Sequence, residues 1–120
     1  MHKMMIVDDS NIIRNRIQRA YDARTFEIVA TAVNGLDALE KFEKFRPHVI
    51  TMDLTMPYMD GLECIEKIVA LEPNVRILVI SALSDKATGI EALSLGASGF
   101  LCKPFSEEEL VEALNELITD

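Results

Sequence analysis

Five polar residues of this 120-residue chain have positions that suggest chemistry: Asp8, Asp9, Asp53, Ser81 and Lys103. Each lies at, or just after, the end of an apolar segment of the kind that forms a buried strand. In an open parallel sheet, ligands bind beyond the carboxyl ends of the strands, so these side chains would converge on one edge. Carboxylates gathered in one crevice repel each other unless a cation lies among them, and oxygen ligands with room for water suit Mg²⁺. The pattern predicts a magnesium site faced by an ammonium group and a hydroxyl group.

Each of these residues also has an ordinary structural explanation when it is taken alone. Asp8, Asp9 and Ser10 could cap the first helix. Ser81 could be a turn hydroxyl and Lys103 a solvated surface charge. Their joint occurrence at strand ends is what favours a functional site.

The elements that would position these residues are five apolar segments separated by stretches with helical spacing. The segments are KMMIV (3–7), FEIVATA (26–32), HVITM (48–52), RILVIS (76–81) and GFLC (99–102). Alternating strand and helix patterns predict right-handed βαβ units, and hence a parallel sheet with helices on both faces. Five units are too few for an eight-stranded barrel, so the predicted fold class is α/β with an open five-stranded sheet.

Local signals indicate where these elements begin and how they pack. Ser106 and Glu109 have the spacing of a capping box, and Asn34-Gly35 suits a helix start. Segment 26–32 alternates apolar and polar residues, which is typical of an edge strand, whereas the first, third and fourth segments should be central. The residues expected on the apolar helix faces are Ile12, Ile13, Ile17, Ala20 and Tyr21; Leu36, Leu39, Phe42 and Phe45; Leu62, Ile65, Ile68, Val69 and Leu71; Ile90, Leu93 and Leu95; and Leu110, Val111, Leu114, Leu117 and Ile118.

Length and composition predict one globular domain over residues 1–120, since 49% hydrophobic and 27% charged residues are typical of soluble proteins. We expect no membrane partner, because no apolar run could span a bilayer and the N-terminus lacks the features of a secretory signal. Cys64 and Cys102 have no metal-ligand spacing, so we expect reduced core thiols in a cytoplasmic protein. A net charge of −8 argues against direct binding of nucleic acid, which needs clustered Lys and Arg.

Along its whole length the sequence resembles a response-regulator receiver domain of the CheY-like family. The motifs that carry the resemblance are IVDDS (6–10), VITMDLTMPYMDG (49–61), VISA (79–82) and GASGFLCKPF (96–105). The resemblance implies the strand order 2-1-3-4-5 known for the CheY fold. It also implies a place in two-component signal transduction, as a phosphoprotein with an aspartyl-phosphate.

The resemblance assigns the phosphoryl acceptor and the metal ligands. Asp53 would be the nucleophile that takes the phosphoryl group. Asp9, Asp53 and the backbone carbonyl of Thr55 would bind Mg²⁺ directly, and Asp8 would act largely through water. Phosphoryl transfer asks mainly for positioning and charge neutralisation, which such a site supplies.

The resemblance also implies a switch. Lys103 would pair with the phosphoryl charge, and Ser81 would hydrogen-bond one of its oxygens. The movement of Ser81 would vacate space for the ring of Phe100, which biases two packings of the face formed by the fourth helix, fifth strand and fifth helix. The Lys103–Pro104 bond resembles one that the family holds cis.

Three positions depart from the best-known chemotaxis members of the family. Phe100 stands in place of a tyrosine, so no phenol is available to report the ring position by hydrogen bonding. Thr55 stands in place of an amide, and Leu83 is apolar where those members carry an acid. We predict that Leu83 screens attacking water and slows loss of the phosphoryl group.

Two other classes of protein would also use this type of sheet. An aspartate-nucleophile phosphatase wants a second Asp two residues after the nucleophile, where this chain has Thr55, and it usually carries a cap domain. A flavin-binding electron carrier needs a phosphate loop rich in Ser, Thr and Gly after the first strand, whereas VDDSNIIRN (7–15) would repel a phosphate. A receiver that is a switch rather than an enzyme is therefore the favoured interpretation.

The resemblance implies a phosphohistidine on a sensor histidine kinase as the phosphoryl source. A diffusing single-domain messenger is the simplest interpretation of a chain of this length. Chemotaxis, with the flagellar motor switch as a candidate target, then follows by resemblance. The alternatives are a phosphorelay intermediate and a receiver cut from a larger regulator.

Overall fold

The computed structural model describes residues 1–83 and 86–119. Its ten elements alternate strictly between strand and helix, as the sequence predicts. They are β1 (His2–Val7), α1 (Asn11–Ala20), β2 (Phe26–Ala32), α2 (Gly35–Phe45), β3 (Val49–Met52), α3 (Gly61–Leu71), β4 (Arg76–Ser81), α4 (Lys86–Ser94), β5 (Gly99–Cys102) and α5 (Glu107–Leu117). None of these helices is long and apolar enough to cross a bilayer.

The five strands form one parallel sheet in the order β2-β1-β3-β4-β5. This confirms the predicted fold class, the edge position of β2 and the central positions of β1, β3 and β4. In the register of the sheet, Val7 pairs with Met52, Met52 with Val79, and Val79 with Phe100. The residues that follow these positions are therefore brought to one edge of the sheet.

Two separate cores lie on the two faces of the sheet, because successive strand residues point to opposite sides. Met5 and Val7 face one core, which includes buried side chains of α2, α3 and α4. Met4 and Ile6 face the other, which is closed by buried side chains of α1 and α5. The sheet is thus covered on both faces, which explains why its central strands are almost wholly apolar.

The predicted helix starts are confirmed where the sequence has a capping signal. The Ser106 hydroxyl accepts from the backbone N–H of Glu109, and the Glu109 carboxylate accepts from the Ser106 N–H, which completes the capping box. The Asn34 side chain caps α2 by accepting from the backbone N–H of Asp37. Both caps satisfy N–H groups that a helix leaves unpaired at its N-terminus.

The predicted apolar face of α4 is wrong in part. Ile90 and Leu93 are 60% and 51% exposed, whereas Ala92 is buried. A Cβ on Gly89 would lie 3.8 Å from the ring of Phe100. The helix thus approaches the sheet through its small residues, and the larger ones point outward.

Five further burial predictions are corrected by the structure. Four helix residues expected inside are exposed. Ile12 and Leu36 lie in the first turn of their helices, and Phe45 and Leu71 are the last residues of theirs. Cys64 is buried as predicted, but Cys102 is exposed. It is the last residue of the edge strand β5, where one side of the sheet has no neighbour.

Candidate functional site

Three aspartates meet at the carboxyl ends of the central strands β1 and β3. Asp8 and Asp53 directly follow these strands, and the Asp53 N–H donates to the carbonyl of Val7 at 3.0 Å, which fixes the two loops side by side. Carboxylate oxygens of Asp8, Asp9 and Asp53 all lie within 4.8 Å of one another. Asp8 and Asp53 are only 1% and 5% exposed, whereas Asp9 is open to solvent.

Lys103 supplies the positive charge of this cluster. Its Nζ lies 2.8 Å from Oδ2 of Asp8 and 3.4 Å from Oδ1 of Asp53. Its backbone N–H donates to the carbonyl of Ser81 at 2.9 Å, which anchors the β5–α5 loop to the end of β4. The Lys103–Pro104 peptide bond is cis. The ammonium group therefore bridges two buried carboxylates that come from different strands.

The burial of these charges perturbs their proton affinities. Burial, and then the charge of Asp8, raise the pKa of Asp53 to about 6, against the opposing effects of Lys103 and of the Thr55 backbone N–H, which donates to the carboxylate. Burial alone would lower the pKa of Lys103, but its hydrogen bond to Asp8 and the charge of Asp53 outweigh this and raise it. The site therefore disfavours the charged form of the Asp53 carboxylate, as expected for a buried group where negative charges outnumber positive ones.

In the described part of the chain, neither Ser81 nor Phe100 makes a side-chain hydrogen bond to this cluster. The buried Ser81 hydroxyl accepts from the backbone N–H of Leu83 at 3.0 Å. The half-buried Phe100 ring packs against the core that contains α3 and α4. The side chain of Thr55 is exposed, and Leu83 is 44% exposed beside Ser81. The four groups that the structure brings together are therefore the three aspartates and Lys103.

The loop after Asp53 is shaped by a close backbone contact. A Cβ on Gly61 would lie 2.2 Å from the carbonyl oxygen of Asp53, and the Gly61 N–H donates to the carbonyl of Leu54 at 3.0 Å. Asp60 caps α3 by accepting from the N–H of Glu63. Only glycine fits at this position, because the start of α3 lies directly against the backbone of Asp53.

Sequence reasoning missed two arginines of α1 that hold the loops of this site. Nη1 of Arg14 donates to the backbone carbonyl of Asp8 at 2.7 Å, and Nη2 of Arg16 donates to that of Phe105 at 2.7 Å. Because every residue has a backbone carbonyl, residue types and spacing cannot indicate which carbonyl an arginine will bind.

The donor set fits a divalent cation of the Mg²⁺ type. Its ligand atoms are carboxylate oxygens, two of the three carboxylates are buried, and the exposed one leaves room for water. Burial, and then the charge of Asp8, raise the pKa of Asp53 despite the opposing charge of Lys103, so a further positive charge at the cluster would be favourable. No soft ligand lies among them, which argues against a thiol-binding metal.

Comparison with known proteins places this arrangement in a family. The model of the response regulator receiver domain matches residues 4–115. The chemotaxis protein CheY of Listeria monocytogenes is 38% identical over 116 residues, covering 97% of this chain and 98% of the relative. The CheY of Thermotoga maritima is 38% identical over 115 residues, covering 96% of each chain.

A solved structure agrees with these relatives. The crystal structure of the CheX–CheY–BeF₃–Mg²⁺ complex from Borrelia burgdorferi contains a chain with a TM-score of 0.94 and 28% identity, covering 99% of this chain and 90% of that one. Sequence and fold therefore lead to the same conclusion: the chain belongs to the response regulator receiver domain family, and its full-length relatives include CheY proteins of chemotaxis.

Proposed function

We propose that this receiver is a phosphorylation switch in chemotaxis signalling, and that Asp53 is the residue that accepts the phosphoryl group. The observation that carries the proposal is the placement of Asp53, which is buried beside two other aspartates and the ammonium of Lys103. A buried carboxylate that faces both a cation site and a fixed positive charge is poised to attack phosphorus and to tolerate the product charge.

The transfer step uses the Asp53 carboxylate as the nucleophile. One of its oxygens attacks the phosphorus of a phosphohistidine on a sensor histidine kinase. The P–N bond breaks as the P–O bond forms, and the imidazole leaves with the electron pair and takes a proton from solvent. Lys103 lies close enough to pair with a phosphoryl oxygen, and the exposed side of the site leaves a path for the donor.

Magnesium would be held by Asp9, Asp53 and the backbone carbonyl of Thr55, with Asp8 acting largely through water. When bound, the ion neutralises the negative charge that gathers as the phosphoryl group approaches. This neutralisation matters at Asp53, since burial and the neighbouring Asp8 raise its pKa and so disfavour its negative charge.

The readout would begin at Ser81. Its hydroxyl accepts only the Leu83 N–H among the contacts that the structure describes, so it can turn towards a phosphoryl oxygen. Phe100, half-buried beside Gly89, can then move into the vacated space. The face formed by α4, β5 and α5 would change its packing, and a protein target would sense the change.

The CheY relatives support a chemotaxis role. We propose that the chain acts in the cytoplasm, with residues 1–120 as a single receiver domain. The flagellar motor switch is our proposed target. The alternatives to this role are a phosphorelay intermediate and a receiver within a larger regulator. We propose that the chain assists its own phosphorylation and dephosphorylation but acts on no other substrate.

Intact mass measurement tests the proposal. The protein is incubated with Mg²⁺ and phosphoramidate, a small donor with a P–N bond. The wild type should gain one phosphoryl group, Asp53→Asn should gain none, and Asp60→Asn should behave as the wild type. Asp60→Asn is a matched control because Asp60 is exposed, lies outside the cluster and can be replaced as a helix cap by Asn. Equal labelling of the wild type and Asp53→Asn would contradict the proposal.

A further inference from the structure

Arg16 of α1 makes a double contact with the loop that carries Lys103. Its Nη2 donates to the backbone carbonyl of Phe105 at 2.7 Å, and its guanidinium carbon lies 5.1 Å from the centre of the Phe105 ring. The ring is itself buried among side chains of α5. Arg16 therefore contacts both the backbone and the side chain of a residue two positions after Lys103.

The backbone around Lys103 is held from three directions. The Lys103 N–H is bound to the carbonyl of Ser81, the Phe105 carbonyl to Arg16, and Ser106 to its own capping box. The first contact fixes the loop to β4 and the last fixes it to α5. Among the hydrogen bonds of the described residues, only that of Arg16 joins the loop to α1. Without this hydrogen bond, the loop would lose its link to α1, the helix that follows Asp8 and Asp9.

We propose that Arg16 is a positioning residue, which sets where the ammonium of Lys103 stands relative to Asp53. This inference depends on the proposed function, because Lys103 matters only if Asp53 accepts a phosphoryl group. Arg16 itself touches none of the aspartates in the described part of the chain, so it acts through the loop alone. Nζ lies 3.4 Å from Asp53 and 2.8 Å from Asp8, so a shift of the loop backbone would change the position of the ammonium relative to both carboxylates.

The contact also gives α1 a means of influencing the site. Arg16 is half-buried, and α1 carries Ile12 on its exposed first turn. The guanidinium thus joins α1 directly to the loop that carries Lys103. The positioning role is testable without any partner, since a small donor needs only the site.

The test compares Arg16→Ala, Arg16→Lys and Arg19→Ala with the wild type. The rate of phosphoryl acceptance is measured by intact mass against phosphoramidate concentration, and Mg²⁺ affinity by calorimetry. We expect Arg16→Ala to reduce the maximal rate divided by the half-saturating concentration on the order of tenfold, because a small misplacement of a charged group is costly in phosphoryl transfer. Arg16→Lys should recover most of this loss, since a lysine can still donate to a carbonyl oxygen.

Arg19→Ala is the matched control for charge. Arg19 lies one turn further along α1, is exposed, and makes no hydrogen bond or ion pair with the residues that the structure describes. Its replacement should leave the rate unchanged. In Arg16→Ala the Mg²⁺ affinity should also be unchanged, because the carboxylates are untouched.

A second control separates positioning from stability. Leu114→Val removes one methylene from the same core of α5, and should lower the melting temperature without changing the rate. If Arg16→Ala accepts phosphoryl groups at the wild-type rate, or if Leu114→Val slows acceptance as much, Arg16 is only a structural anchor. If the wild type itself accepts none, the proposed function has failed instead.

Discussion

Replacement of Asp53 by asparagine should stabilise the protein in the absence of divalent cations. The carboxylate is 5% exposed and faces the charge of Asp8, so the folded protein carries an unfavourable charge there at neutral pH. Asn has nearly the same shape without the charge. A residue that is needed for the proposed function would thus be a net cost to stability, which is common at functional sites.

The pKa of Asp53 gives the magnitude. Raising it from 3.8 to about 6 costs the folded state about 3 kcal/mol at neutral pH, since each pKa unit is worth roughly 1.4 kcal/mol. The Asn amide adds N–H groups that need partners in a buried site, and this offsets about 1 kcal/mol. We therefore expect Asp53→Asn to raise the free energy of unfolding by about 2 kcal/mol at pH 7.

The pH dependence has a definite sign. Between pH 3.8 and about 6 the folded protein holds a proton on Asp53 that the unfolded chain has released, so wild-type stability falls as the pH rises through this window. The advantage of Asp53→Asn should therefore be full above pH 6, and near pH 4 the variant should be slightly less stable than the wild type, because the cost of its buried amide remains. Added Mg²⁺ should also reduce the difference in the free energy of unfolding between the two proteins, because the ion binds the folded wild type more tightly than the variant.

Urea unfolding of both proteins at several pH values, with EDTA or with Mg²⁺, measures these differences. Asp60→Asn serves as a control that should show neither effect. If Asp53→Asn is no more stable than the wild type at pH 7 in EDTA, the folded site does not disfavour the charged carboxylate of Asp53. If Mg²⁺ stabilises both proteins equally, the ion does not bind at Asp53.

Three further predictions concern side chains around the cluster. Lys103→Gln should reduce the rate of phosphoryl acceptance from phosphoramidate on the order of a hundredfold, because the fixed charge beside Asp53 is lost; an unchanged rate by intact mass would refute this. Leu83→Glu should speed loss of the phosphoryl group, since the half-exposed Leu83 would no longer screen water, and an unchanged dephosphorylation time course would count against it. Thr51→Val should raise the free energy of unfolding by about 1 kcal/mol, because the buried Thr51 hydroxyl has no hydrogen-bond partner among the described residues; lower stability in urea would contradict this.

The fold was predictable from the sequence because its signals are local and redundant. Alternating apolar segments gave the parallel sheet, and the Ser106 capping box gave the start of α5. The placement of Asp8 and Asp53 at one edge followed from the same pattern, since both come directly after central strands. The roles of these residues came instead from family resemblance, because a carboxylate at a strand end is chemically ambiguous.

Other features could not be predicted because they depend on the packing of distant segments. Apolar residues such as Ile90 and Leu93 were expected inside, but α4 meets the sheet through Gly89 and Ala92. The contact of Arg16 with Phe105 joins residues 89 positions apart through a backbone oxygen. Periodicity reports which residues share a helix face, but it does not report how closely that face approaches the sheet.

The central claim is that Asp53 accepts a phosphoryl group in a magnesium-dependent reaction. Reduction of the phosphorylated protein with borohydride converts an aspartyl-phosphate into homoserine, and fragment mass spectrometry then locates the modified residue. We expect homoserine at position 53 alone, formed with Mg²⁺ and absent with EDTA. Modification of a different carboxylate, or equal modification of Asp53 in EDTA, would contradict it.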